Sequence, residues 1–237
     1  PPCPAHLDWD LWIGPAPMRP YHPCYHPFAW RGWWDFGTGV LGDIGCHELS
    51  AIFKAMKIGD PVSVEACSTN WQRPKEISTE TAPLASITHY KFAASDTHGP
   101  LSIFWYDGGM RPPRPEELDP DAEFAVNDGT MYVGDKGIML RDRLIPESKR
   151  QEFGRPPQKL PRSVGHWKEF LDACRGGQPA GSNLADHAAH LTEVVLLGNI
   201  AIRMNQKLEW DAVNMRFPHC PEADQFINPP YRPGYAL

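Results

Sequence analysis

Asp43 and His47 are the residues whose types and spacing most directly offer chemistry. They stand four positions apart in the run Gly39-Val40-Leu41-Gly42-Asp43-Ile44-Gly45-Cys46-His47-Glu48-Leu49. On a helix that spacing puts a carboxylate and an imidazole on one face. An imidazole oriented by a carboxylate can take a proton from a hydroxyl. Taken alone, the same spacing more often makes a local ion pair than a catalytic unit.

Arg31, Trp33, Trp34 and Asp35 lie just before this run. Indole rings stack on sugar faces, and Arg or Asp binds hydroxyls, so these four are candidate substrate-binding residues. The competing reading, equally weighted, is that the tryptophans anchor an arm. His166 is a further candidate for lining a cleft. His22, Cys24 and His26 alternate along a loop, but no fourth ligand is evident, so no metal site is expected.

These residues need elements to hold them. A helix is expected over 42–57, with Leu49, Ile52, Phe53 and Met56 as its apolar face and Gly59 and Pro61 ending it. Asp43 then falls near the helix start, where the helix dipole favours a carboxylate. Upstream, prolines at 15, 17, 20, 23 and 27 exclude helix through most of residues 1–40. This stretch reads as an irregular, Trp- and Pro-rich arm, long enough to act as a functional loop or a packed wall.

Strand-like runs follow at 62–70, 84–92 and 101–106, with weak pairing expected at 124–126. Residues 131–133 and 138–140 flank Gly134-Asp135-Lys136-Gly137 and read as a hairpin. Residues 141–162 read as loop. Helices are expected from Ser163 to Cys174 and from Asp186 to Met204, and a last strand over 207–213. No two strands are joined by a regular helical crossover. The expectation is therefore a single α+β domain over 1–237. Its large open sheet is mixed and mostly antiparallel, with helices on one face. No G-x-G-x-x-G follows a strand, so a dinucleotide fingerprint is missing.

Composition narrows the function classes. The formal net charge is -6 and basic residues are scattered, so no nucleic-acid footprint is expected. The longest apolar run, 194–202, is too short to span a membrane. Six cysteines without C-x-x-C spacing read as buried free thiols. The chain opens Pro1-Pro2-Cys3-Pro4 with no methionine, as an internal boundary or processed product would, and localisation stays open.

The run from Gly39 to Ser50 resembles the motif that opens the C-terminal domain of the Gfo/Idh/MocA oxidoreductases, relatives of glucose-fructose oxidoreductase and inositol dehydrogenase. It departs from the motif at Ser50, where an acidic residue is usual. Leu7 to Pro17, Tyr25 to Gly37, Tyr132 to Gly137, Leu191-Thr192-Glu193, Leu197-Gly198-Asn199 and Tyr231 to Tyr235 resemble a large bacterial branch of the same family.

The resemblance implies a substrate-binding half, with an N-terminal Rossmann domain expected in the full-length enzyme. It implies NAD or NADP in that enzyme and none bound by this chain alone. It implies hydride transfer at a secondary alcohol of a sugar, polyol or cyclitol. In that reading His47 is general base and Asp43 orients and polarises, while a lysine of an E-K-P motif, not found here, completes the set. It also implies a homo-oligomer formed through the sheet. The same residues would serve redox-assisted glycoside cleavage or epimerisation. A non-catalytic carbohydrate-binding or dimerisation module is the third alternative.

Overall fold

The computed structural model describes residues 1–69, 80–124 and 129–235. It separates into two compact units, one of residues 1–110 with 190–237, the other of residues 111–189.

The first unit holds α1 (Trp9–Ile13), α2 (Gly39–Glu48), α3 (Ser50–Met56), β1 (Pro61–Ser68), β2 (Ser86–Phe92) and β3 (Leu101–Tyr106). It also takes nearly all of a long helix, Ala189–Met204, and a two-residue strand, Leu208–Glu209. The sheet order runs β3, β2, β1 and then Leu208–Glu209, with every pairing antiparallel.

Alternation along β1 and β2 explains the layers. Val64, Ala66, Thr88, Tyr90 and Phe92 point inward, while Glu65, Cys67 and Lys91 point out. Register puts Val64 opposite Tyr90, and Tyr90 opposite Ile103. The long helix covers this inner face with Leu191, Val194, Val195, Ala201 and Ile202, and Leu41, Leu49 and Phe53 join them from α2 and α3. Gly198 is what lets helix and sheet approach. A methyl there would lie 1.9 Å from the Tyr90 hydroxyl and 2.6 Å from Leu41 Cδ2.

The second unit has a three-stranded antiparallel sheet: β4 (Met131–Gly134), β5 (Gly137–Leu140) and β6 (Arg143–Ile145). It adds α4 (Glu147–Phe153), α5 (His166–Cys174) and a π-helical turn, Leu184–Ala188. We label the helix Ala189–Met204 α6 and the strand Leu208–Glu209 β7.

The α+β class with antiparallel pairing is observed, with the strands divided between two separate sheets. Several boundaries differ from expectation. The helix expected over 42–57 starts at Gly39 and is divided at Leu49, so Asp43 lies in its second turn. The first-turn dipole argument for Asp43 therefore does not hold. Residues 141–162 contain β6 and α4, not only loop, because Arg143 to Ile145 extends the hairpin by one strand. Ser163 does not cap α5; Gly165 takes that place, its N–H donating to Ser163 Oγ at 3.0 Å. Asn183, not Asp186, caps the turn that leads into α6, accepting from Asp186 N at 2.8 Å. The last strand shrinks to Leu208–Glu209. The weak pairing expected at 124–126 falls largely outside the described residues. All six cysteines are free, and of these only Cys220 is buried.

Candidate functional site

The arm positions the site by building its own aromatic core. Asp8 caps α1, accepting from Leu11 N at 3.1 Å. Trp9 then stacks on Trp12 at 4.7 Å and donates from Nε1 to the Arg19 carbonyl at 2.7 Å. Tyr25 sets its ring edge to face Trp33 at 4.8 Å and Phe36 at 5.5 Å. Arg19 sits among these rings, over Phe36 at 5.4 Å and Tyr25 at 5.6 Å. Its guanidinium ion-pairs with Asp35, and with Glu80 at 3.3 Å. Partial burial works against that charge, but the Tyr25 hydroxyl, Asp35 and Glu80 more than offset it, so its proton is held more firmly than usual.

The backbone ties this core to the strand side. Trp34 N donates to the Glu80 carbonyl at 3.0 Å, and Ala82 N to the Gly32 carbonyl at 2.8 Å. Far along the chain, Arg232 pairs with Asp10 at 2.8 Å and donates to the Gly14 carbonyl at 2.6 Å, holding the end of α1.

The turn after Trp33 brings the arm to α2. Phe36 N and Gly37 N both donate to the Trp33 carbonyl, at 2.9 and 2.7 Å. A side chain at Gly37 would lie 2.6 Å from the Arg31 backbone, so the close return needs glycine. Arg31 is thereby placed with Nε 3.3 Å from Asp43 Oδ2, its guanidinium lying over Phe28 at 4.4 Å and Trp30 at 4.6 Å. Asp43 and His47 follow one another by a single turn of α2, both exposed. Among the described residues the His47 ring has no hydrogen-bond partner. Between them in sequence, Cys46 is half-buried and bonded to Thr192 of α6; burial pushes its thiol up, and the Thr192 bond partly counters this.

The structure thus brings Arg31 and Asp43 into contact, with His47 on the same helix face. Asp35 is taken up by Arg19, and Trp33 packs in the arm core. Trp34 turns the other way, toward Arg203 of α6, whose guanidinium lies 5.4 Å from its ring. His166 opens α5 in the other unit, exposed and against Trp167 at 5.0 Å. His22 accepts from Cys24 N at 3.2 Å, and no group of three metal-binding side chains occurs among the described residues.

Arg19 and Arg203 were not singled out from sequence. A signal for Arg203 did exist: it is the one arginine of α6 and directly follows the apolar run 194–202, where burial forces a role on a charge. Arg19 offered none, since its partners Asp35 and Glu80 lie 16 and 61 residues away.

The chain was also compared with known proteins. Residues 1–82 match the model of the Gfo/Idh/MocA oxidoreductase family, C-terminal alpha/beta domain. That segment contains the arm, α2, α3 and β1, and with them Arg31, Asp43 and His47. No curated protein matches the chain. The α+β fold agrees with this family-level link to an oxidoreductase C-terminal domain. All strand pairings among the described residues are antiparallel. A family-type dinucleotide site needs a parallel sheet and a glycine loop leading into a helix, so these residues do not fit that cofactor. Among the described residues no helix is long and apolar enough to cross a membrane.

Proposed function

We propose that this chain is the substrate-binding half of an NAD(P)-dependent oxidoreductase acting on a secondary alcohol of a sugar, polyol or cyclitol. One observation carries the reading: Arg31 pairs with Asp43, which shares an exposed face of α2 with His47, inside the segment that matches the oxidoreductase family model. His47 takes the proton of the substrate hydroxyl. Asp43, held by Arg31 at 3.3 Å, keeps a negative charge one helical turn from the imidazolium that forms and is placed to orient the imidazole once substrate is bound. Trp33, Trp34 and Asp35, just before α2, are secondary substrate contacts. The dinucleotide, which supplies hydride acceptance when bound, belongs to a separate N-terminal domain of the full-length enzyme.

The test is a pair of variants in the full-length enzyme. With a panel of sugars and inositol, and NAD or NADP reduction as readout, His47→Gln lowers kcat by about 10²–10⁴. Asp43→Asn lowers it less. A His47→Gln enzyme with unchanged kcat sinks the assignment. For the isolated chain, calorimetry with NAD and NADP should show no micromolar binding.

Self-association through the sheet is the second element of the reading. Val62 is 48% and Phe104 52% exposed on the outer face, where His89 stacks on Phe104 at 4.0 Å beside the free edge of β3. Phe104→Lys should reduce the sedimentation coefficient to that of a monomer.

A further inference from the structure

Arg203 differs from the other arginines of this corner. Arg19 and Arg31 each have a carboxylate partner. Arg203 makes no ion pair among the described residues, although it is half-buried; the Asp35 carboxylate, itself paired with Arg19, acts on it only through space. Its guanidinium is clasped between two rings, 3.9 Å from the Phe226 centroid and 5.4 Å from that of Trp34. The Nε nitrogen is fully enclosed without a hydrogen-bond partner. The two terminal nitrogens are not among the fully enclosed atoms, so the end of the fork can be reached.

Asn199 supplies the second observation. It stands one turn before Arg203 on the same face of α6, is only 5% exposed, and leaves both amide atoms enclosed and without partners. Thr192, two turns further back on this side of α6, bonds Cys46, the neighbour of His47. The polar side chains of α6 therefore run along α2 from Cys46 toward Trp34. Two of them, Asn199 and Arg203, hold hydrogen-bonding capacity that this chain does not use.

We propose that Arg203 is a substrate-binding residue that takes an oxyanion, a carboxylate or phosphate ester, carried by the sugar, and that the Asn199 amide, unpartnered in the free chain, turns to its guanidinium when the anion is bound. The proposal rests on the reading of the α2 corner as a substrate site and narrows the substrate class to acidic or phosphorylated sugars. A planar fork held by rings on both faces accepts two oxygens in its plane with little further loss of rotamer freedom. The cation lies in the last turn of α6, where the helix dipole also favours it. Desolvation weakens the hold of Arg203 on its proton, the Asp35 charge offsets this in part, and a bound oxyanion offsets more of that cost.

The experiment titrates this chain, labelled with ¹⁵N, with D-glucuronate, D-glucose 6-phosphate and D-glucose. The Arg203 Nε–H, Asn199 amide and His47 ring signals are followed. At least one anionic sugar should shift the Arg203 and Asn199 signals and bind at least about tenfold tighter than glucose, as a charge-assisted pair implies. The stronger of the two identifies the group as carboxylate or phosphate. Arg203→Met should erase the preference for the anion and Arg203→Lys should keep part of it. If the methionine variant does not fold, the wild-type and lysine titrations decide. Glucose binding that equals both anions overturns the oxyanion site while leaving the α2 reading in place. An anion that moves Arg203 but leaves His47 unmoved supports the oxyanion site and counts against the α2 reading. Absence of any Arg203 shift with either anion overturns the proposal.

Discussion

In the first unit, α2, α6 and the inner face of the sheet enclose Leu41, Val64, Tyr90, Val194 and Phe217 almost completely. In the second, α5 carries apolar residues at helical spacing, yet Trp167 stays 74% exposed and Phe170 and Leu171 are also exposed. Both sequences are amphipathic. They differ in what lies opposite the apolar stripe. α6 meets a four-stranded sheet with Gly198 at the crossing, and each methylene buried there contributes about 0.8 kcal/mol. The second unit has only a three-stranded sheet of short strands, with Leu118 and Ile145 as its buried hydrophobic residues. The lesson is that an apolar stripe records a demand for cover and not its delivery. The candidate corner lies in the unit with the larger buried core, as loops that hold chemistry need.

The comparison can be broken most forcefully at Gly198. Gly198→Val drives a branched side chain into Tyr90 and Leu41, and should destabilise the chain by about 3 kcal/mol or more in urea unfolding. Leu41→Ala should cost about 2–5 kcal/mol by the same measurement, since it leaves a cavity under α6. A cost below about 1 kcal/mol for either would mean that the first unit is packed no better than the second. Arg19→Met tests the arm core separately. Loss of its ring contacts and two ion pairs should cost about 1–2 kcal/mol and raise the fluorescence response of the arm tryptophans to a soluble quencher. The double change Trp167→Ser with Phe170→Ser should alter stability by less than about 0.5 kcal/mol and improve solubility. A loss as large as that of Leu41→Ala would show the α5 stripe to be covered in solution. Tyr90→Phe should be the mildest, near zero or slightly stabilising, because the hydroxyl it removes is enclosed without a partner.

Much of this was legible from local pattern. The alternation in β1 and β2, the hairpin about Asp135-Lys136 and the apolar run of α6 each announce their element, because period and burial are properties of neighbouring residues. The spacing of Asp43 and His47 alone places both on one helix face. Boundaries were less legible. Gly39 begins α2 where sequence favoured a start at Gly42, and Leu49 divides it from α3. Glycine at a helix start carries little local signal, so packing decided.

By itself, then, the sequence determined the main strands and long helices, the mostly antiparallel α+β class and the placing of a carboxylate and an imidazole on one face of α2. Only the tertiary structure decided which cations serve which carboxylates. Arg31 reaches Asp43, Arg19 takes Asp35 and Glu80, and Arg203 is left between two rings with its fork free. Ion pairs and ring contacts form wherever the backbone brings groups within a few ångströms. That proximity comes from the Gly37 return, the crossing at Gly198 and the docking of the tail at Phe226, none of which is written in the spacing of the charges themselves.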